Sequence, residues 1–153
     1  MPNQPSILIV DDEFGLAEML REMLREYGYD VTLAINGRLA LDILAEQKID
    51  LVLTDISLNG EGDGTGVARA ARERGVPVLF VTAKCVDEAP LLALGCLTKP
   101  FSERVLKGAL EAVDGHLQGR RMRKLPRQLT LFHQDSPDAS GVATETGPEL
   151  EEG

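Results

Sequence analysis

Three short runs of branched and aliphatic residues stand out along the chain: Ile7-Leu8-Ile9-Val10, Leu51-Val52-Leu53 and Val78-Leu79-Phe80-Val81. They lack the polar alternation of a half-exposed strand, which predicts central strands of a parallel sheet buried on both faces. The stretches between them follow a helical period. Leu16, Met19, Leu20, Met23, Leu24 and Tyr27 recur at three- and four-residue steps and form one apolar stripe that closes at Gly28.

The alternation continues. A second strand is predicted at Asp30 to Ala34, and Asn36-Gly37 makes a turn that can cap a helix carrying Ala40, Ile43 and Leu44. A third helix is predicted from Thr65 to Arg74, closed by Gly75, and Pro77 opens the strand ending at Val81. A short fifth strand holds Cys96, Leu97 and Thr98. The helix after it is capped by Ser102, with Val105, Leu106, Ala109, Leu110 and Val113 facing inward. Five βα units with right-handed crossovers predict an α/β fold of flavodoxin-like type: a (βα)5 three-layer sandwich around a central five-stranded parallel sheet.

Texture changes near Gln118. Residues 1–117 are read as one domain. Residues 118–153 are read as a basic then acidic C-terminal tail, largely disordered, because the last part is poor in apolar residues and rich in Gly, Pro, Ser, Thr and acids. The basic run at residues 120–127 reads first as a solvated helix end. A docking role, anchored by Leu129-Thr130-Leu131-Phe132, is the alternative.

Charge narrows the function classes. The formal net charge is −9, which argues against broad attraction to nucleic acid. No stretch approaches the ~18 apolar residues of a spanning helix, and the amino terminus lacks a signal-peptide pattern. A cytoplasmic location is expected. Cys85 and Cys96 form no CxxC pair and have no clustered His, so they are read as reduced thiols in a reducing compartment.

Candidate chemistry lies just beyond the strands. Asp11-Asp12, Thr54-Asp55, Thr82 and Lys99 all fall at carboxyl ends of predicted strands, the edge where open α/β sheets bind ligands. Taken singly, each is an ordinary cap, surface charge or strand end. Together they suggest more. Three neighbouring carboxylates repel unless a cation holds them, and Mg²⁺ suits oxygen ligands. An ionised Asp can then attack phosphorus, with Lys99 and the Thr82 hydroxyl facing the phosphoryl oxygens.

The order Ile-Leu-Ile-Val-Asp11-Asp12-Glu13, Asp50-Leu-Val-Leu-Thr-Asp55, Val-Leu-Phe-Val-Thr82-Ala83 and Leu-Thr-Lys99-Pro100-Phe101 closely resembles the receiver domain of two-component response regulators, the CheY-like family. The likeness spans roughly residues 5 to 117. It implies that Asp55 is the phosphoacceptor, with Lys99 and Thr82 assisting. It implies a Mg²⁺ site made by Asp12 and Asp55 directly, Asp11 through water and Ser57 through its backbone carbonyl. It also implies a cis Lys99-Pro100 bond, Thr82 as a switch, and a histidine kinase or histidine phosphotransfer protein as phosphodonor. The protein would then catalyse its own aspartyl phosphorylation and dephosphorylation without being a conventional enzyme.

Departures from the pattern matter too. Cys96 stands where receivers usually carry the aromatic switch residue. The segment from Thr82 to Lys99 is short by about one helical turn, ~3.6 residues, and Pro90 interrupts it, so the fourth helix is expected to be short or irregular. The loop Asn59-Gly-Glu-Gly-Asp-Gly64 fits neither phosphate-binding glycine motif and is read as flexible. Two readings from other classes fit less well. A haloacid-dehalogenase-like Mg²⁺-dependent phosphatase needs an acid at position 57, which is Ser, and a flavodoxin-like cofactor binder needs a phosphate loop where Asp11 and Asp12 stand. A receiver-like binding module that works without phosphorylation is the third. With no room for a DNA-binding domain in the last 36 residues or so, a stand-alone receiver is expected, either a phosphorelay intermediate or a binder of an unknown downstream protein.

Overall fold

The computed structural model describes residues 4–58, 63–120 and 124–132. Most of the loop from Asn59, the basic residues 121–123 and the acidic segment from residue 133 onward lie outside the described residues.

Five parallel strands alternate with five helices: β1 Ser6–Val10, α1 Phe14–Glu26, β2 Asp30–Ala34, α2 Gly37–Glu46, β3 Leu51–Thr54, α3 Gly64–Glu73, β4 Val78–Thr82, α4 Ala89–Leu92, β5 Gly95–Thr98 and α5 Glu103–Leu117. The strands stand side by side in the order β2-β1-β3-β4-β5. The chain leaves β1 toward β2 and returns to the other side of β1 as β3, so the topological switch point lies between β1 and β3.

Alternate residues of each strand feed opposite faces, as the pleat requires. Ile7, Ile9, Leu51, Leu53, Leu79, Val81 and Leu97 pack with α1 and α5. Leu8, Val10, Val52, Phe80 and Cys96 pack with α2, α3 and α4. This makes the three-layer sandwich that the apolar runs predict. Phe80 and Leu79 are fully buried, and each such side chain stabilises the fold by about 1.5–3 kcal/mol relative to exposure.

Local signals set most helix ends. The Asn36 side chain caps α2 by accepting from the backbone N–H of Leu39 at 2.8 Å, and Ser102 caps α5 by accepting from Val105 at 3.2 Å. Gly28 and Gly75, just past α1 and α3, take the left-handed backbone that ends a helix. The fourth helix is a single turn of four residues. Pro90 sits in that first turn, where its missing N–H costs nothing, so it starts the helix instead of interrupting it.

A sixth strand changes the sequence-based picture. β6, Leu129–Leu131, pairs antiparallel with β5 through Gly95↔Leu131, Cys96↔Thr130 and Leu97↔Leu129. A domain boundary at residue 117 therefore leaves out a strand of the sheet, and the described part of the tail, residues 124–132, is ordered against the domain's own core. Leu129 is buried with α5, and Leu125, Leu131 and Phe132 pack alongside. The apolar anchor read from the sequence thus docks on the chain's own edge strand. Gly95 makes room for it, since a Cβ there would stand 2.4 Å from the Thr130 carbonyl oxygen.

Candidate functional site

Backbone hydrogen bonds carry the sheet ladder one residue past three strand ends, and those residues are the candidate site. Asp11 N–H donates to the Ala34 carbonyl at 3.1 Å, Asp55 N–H to Val10 at 3.0 Å and Lys99 N–H to Thr82 at 2.9 Å. Each functional side chain therefore springs from a fixed main chain at the carboxyl edge, beside the β1/β3 switch point. The Lys99-Pro100 peptide is cis.

The side chains converge. Lys99 Nζ lies 2.9 Å from Asp11 Oδ2 and 3.0 Å from Asp55 Oδ2, a cation held between two largely buried carboxylates. Burial pushes the Lys99 ammonium toward the neutral form, but hydrogen bonds to Asp11 and Asp55 and their negative charges outweigh it, so its pKa rises above the usual lysine range. Asp11 also accepts from Glu13 N–H through Oδ1 at 2.9 Å, which fixes its carboxylate. The Ser57 N–H donates to Asp55 Oδ1 at 3.3 Å. Thr82 is buried, and its hydroxyl donates to the Lys84 carbonyl at 3.3 Å.

The structure thus gathers Asp11, Asp55 and Lys99, with Ser57 touching the Asp55 carboxylate and Thr82 linked to Lys99 through the backbone. Asp12 follows Asp11 on the chain and is half-buried. Among the described residues, no three His, Cys, Asp or Glu side chains are arranged to hold a metal ion. The donor chemistry nevertheless fits Mg²⁺, which takes hard oxygens and commonly binds through one or two carboxylates with water completing its shell. Asp11 and Asp55 supply two convergent carboxylates, and Asp12 is next in sequence.

Cys96 requires a correction. It is buried in β5 and bonded to Cys85, with the two Cα atoms 6.3 Å apart, so neither residue is the free reduced thiol that the sequence suggests. Cys85 lies in the loop after β4 and Cys96 in β5, an approach that spacing along the chain does not reveal. Such a pair removes the argument from thiols for a reducing compartment. It also means that the position usual for the aromatic switch holds half of a covalent tether.

Sequence reasoning missed Gly64. A Cβ at this first residue of α3 would stand 1.9 Å from the Asp55 carbonyl oxygen, and its N–H donates to the Ile56 carbonyl at 2.9 Å. Only glycine lets α3 start against the backbone that carries Asp55. The one available signal was a Gly following Asp63 at the predicted helix start, and it was submerged among the other glycines of that loop. Asp63 itself caps α3, accepting from Gly66 N–H at 2.9 Å and from the Thr65 hydroxyl at 2.8 Å.

With this geometry in place, comparison with known proteins is decisive. The model of the response regulator receiver domain matches residues 7–111. The chain belongs to the receiver domain family. Among solved structures, it is similar to the N-terminal domain of a response regulator/sensory box/GGDEF protein from Carboxydothermus hydrogenoformans, at 30% identity and a TM-score of 0.68 over 74% of this chain and 97% of that one. It is also similar to the response regulator TrrA of Thermotoga maritima, solved in complex with Mg²⁺-BeF, at 30% identity and a TM-score of 0.66 over 72% of this chain and 99% of that one. The chemotaxis response regulator CheY4 of Vibrio cholerae matches at 27% identity and a TM-score of 0.65, over 72% and 98% of the two chains. In this receiver β6 lies beyond the matched span, whereas the acidic edge and the Cys85–Cys96 bond lie within it. No helix among the described residues is long and apolar enough to cross a membrane.

Proposed function

We infer that this receiver accepts a phosphoryl group on Asp55 from a histidine kinase or histidine phosphotransfer protein and signals by protein contact, as a relay intermediate or a binder of a downstream protein. The observation that carries the reading is the bridge from Lys99 to both Asp11 and Asp55. It sets a fixed positive charge against the Asp55 carboxylate at the sheet edge.

In the reaction an Asp55 oxygen attacks phosphorus, the bond from phosphorus to the donor histidine nitrogen breaks, and the leaving imidazole keeps the electron pair. Phosphoryl transfer needs little covalent help from the protein beyond positioning and charge neutralisation. Lys99 supplies the ammonium that faces the transferred oxygens, and the Ser57 N–H adds a donor on the other Asp55 oxygen. Mg²⁺, held by Asp12 and Asp55 directly, Asp11 through water and the Ser57 carbonyl, would neutralise charge that builds on the phosphoryl group. Thr82 turns its hydroxyl from the Lys84 carbonyl to the new phosphoryl oxygens, which ties the state of Asp55 to the loop that follows β4. The Mg²⁺-BeF complex of TrrA, a relative at 30% identity, supports the metal assignment.

Transfer from autophosphorylated histidine kinases tests the reading. Label should reach the wild type in Mg²⁺ and not Asp55→Asn. Transfer to Asp55→Asn at the wild-type rate would point to a different acceptor.

A further inference from the structure

We propose that Cys85 and Cys96 form a reversible thiol–disulfide site, with a dithiol reductant as its co-reactant, whose state sets how freely the Thr82 loop moves. The second half rests on the phosphoryl-accepting reading of Asp55, whereas the first does not.

Placement carries the argument. Cys96 is buried in β5, opposite Phe80 of β4 and Thr130 of β6, so its sulfur is anchored to the sheet. Cys85 is half-exposed in the loop between β4 and α4, three residues beyond Thr82. The Cα separation of 6.3 Å lies within the span that a disulfide bridges. Thr82 already bonds to this loop through the Lys84 carbonyl, the residue before Cys85. A hydroxyl that must leave that carbonyl to reach Asp55 can do so more readily when the next residue is untied. The single-turn α4 holds to the core through Ala89 and Leu92, while the sulfur bridge is the covalent link between the preceding loop and β5.

Exposure also fixes the chemistry. A thiolate of the dithiol attacks Cys85 Sγ, the sulfur of the less buried residue of the pair, and the Cys85–Cys96 bond breaks with Cys96 leaving as a thiolate that takes up a proton. The second thiol of the reductant then attacks its own sulfur in the mixed disulfide and releases Cys85. The pair gains two electrons and two protons, and the dithiol becomes a cyclic disulfide.

The test is native alkylation read by intact mass, with and without dithiothreitol, together with hydrogen exchange over residues 83–92 and phosphorylation by acetyl phosphate in Mg²⁺. One alkyl group, on Cys85, should add to the folded protein only after dithiothreitol, and the second, on buried Cys96, only once the reduced protein is denatured. Amide exchange in the loop should then rise about tenfold, as local opening becomes easier, and Cys85→Ser should reproduce that rise without reductant. Reduced protein and Cys85→Ser should phosphorylate at a common rate that differs from that of oxidised protein. Alkylation of Cys85 without reductant, or no alkylation of the folded protein even after dithiothreitol, would overturn the reversible site. Equal exchange and equal phosphorylation in all three forms would overturn control of the loop. If no form is phosphorylated, the Asp55 reading fails, while alkylation and exchange still decide the redox site.

Discussion

The Lys99 ammonium lies 3.0 Å from the Asp55 carboxylate, although 44 residues separate the two in sequence. The same nitrogen reaches Asp11 at 2.9 Å, so a single side chain from the end of β5 bridges two acids from the ends of β1 and β3. Such a cluster makes the edge of the sheet sensitive to any change in its charge.

Replacing Lys99 by Met leaves Asp11 and Asp55 facing each other without their cation. Loss of one partner from a largely buried ion pair is costly, and a loss of about 2–4 kcal/mol is expected. Urea melts should show the drop in metal-free buffer, and added Mg²⁺ should recover part of it. Unchanged stability would mean that the bridge contributes little.

Asp63 gives the pH dependence at the acid end. The Gly66 N–H holds its carboxyl below the usual aspartate range, with the Thr65 hydroxyl helping and burial opposing. A lowered folded-state pKa adds stability that is present above the unfolded value, about pH 4, and is lost as pH falls through the lowered value. Lys99 behaves oppositely. Its raised pKa adds stability that is complete below the ordinary lysine range and disappears as pH climbs through the raised value. Asp63→Ala should cost about 1 kcal/mol at neutral pH, and the difference from wild type should shrink in melts below about pH 4.

Gly64 tests the contact beneath the acceptor. Gly64→Ala must push α3 away from the Asp55 carbonyl, since the new Cβ would stand 1.9 Å from it. Overpacking of this kind costs about 1–3 kcal/mol. A lower melting temperature and slower phosphorylation are both expected, whereas a stability loss alone would separate α3 packing from acceptor geometry.

Gly95 is the corresponding test of β6. In Gly95→Ala the methyl group meets the Thr130 carbonyl, so β6 should leave the edge of β5 while the five parallel strands remain. Hydrogen exchange at Phe132, whose N–H donates to the Leu94 carbonyl at 2.8 Å, should rise to the rate of an open chain. Continued protection there would show that the edge tolerates the methyl group.

Much of this was legible in the sequence for physical reasons. Unbroken apolar runs mark strands covered on both faces, and polar residues just after them fall at one edge, so Asp11, Asp55, Thr82 and Lys99 could be placed together before any coordinates. The strand from Asp30 to Ala34 and the caps at Asn36 and Ser102 followed from local chemistry. What escaped depended on contacts between distant segments. Leu129 to Leu131 is too short to announce a strand, and becomes one only because β5 offers an open edge and Gly95 offers space. Cys85 and Cys96 meet from either side of the single-turn α4, a contact that neither residue's own neighbours in sequence announce. Gly64 matters through a backbone approach that composition cannot express.

The most direct measurement is intact mass after incubation with Mg²⁺ and acetyl phosphate, for wild type and Asp55→Asn. The account predicts a Mg²⁺-dependent gain of one phosphoryl group in the wild type and none in the variant. An equal gain in both proteins, or none in the wild type with either this donor or phosphorylated histidine kinases, would contradict it.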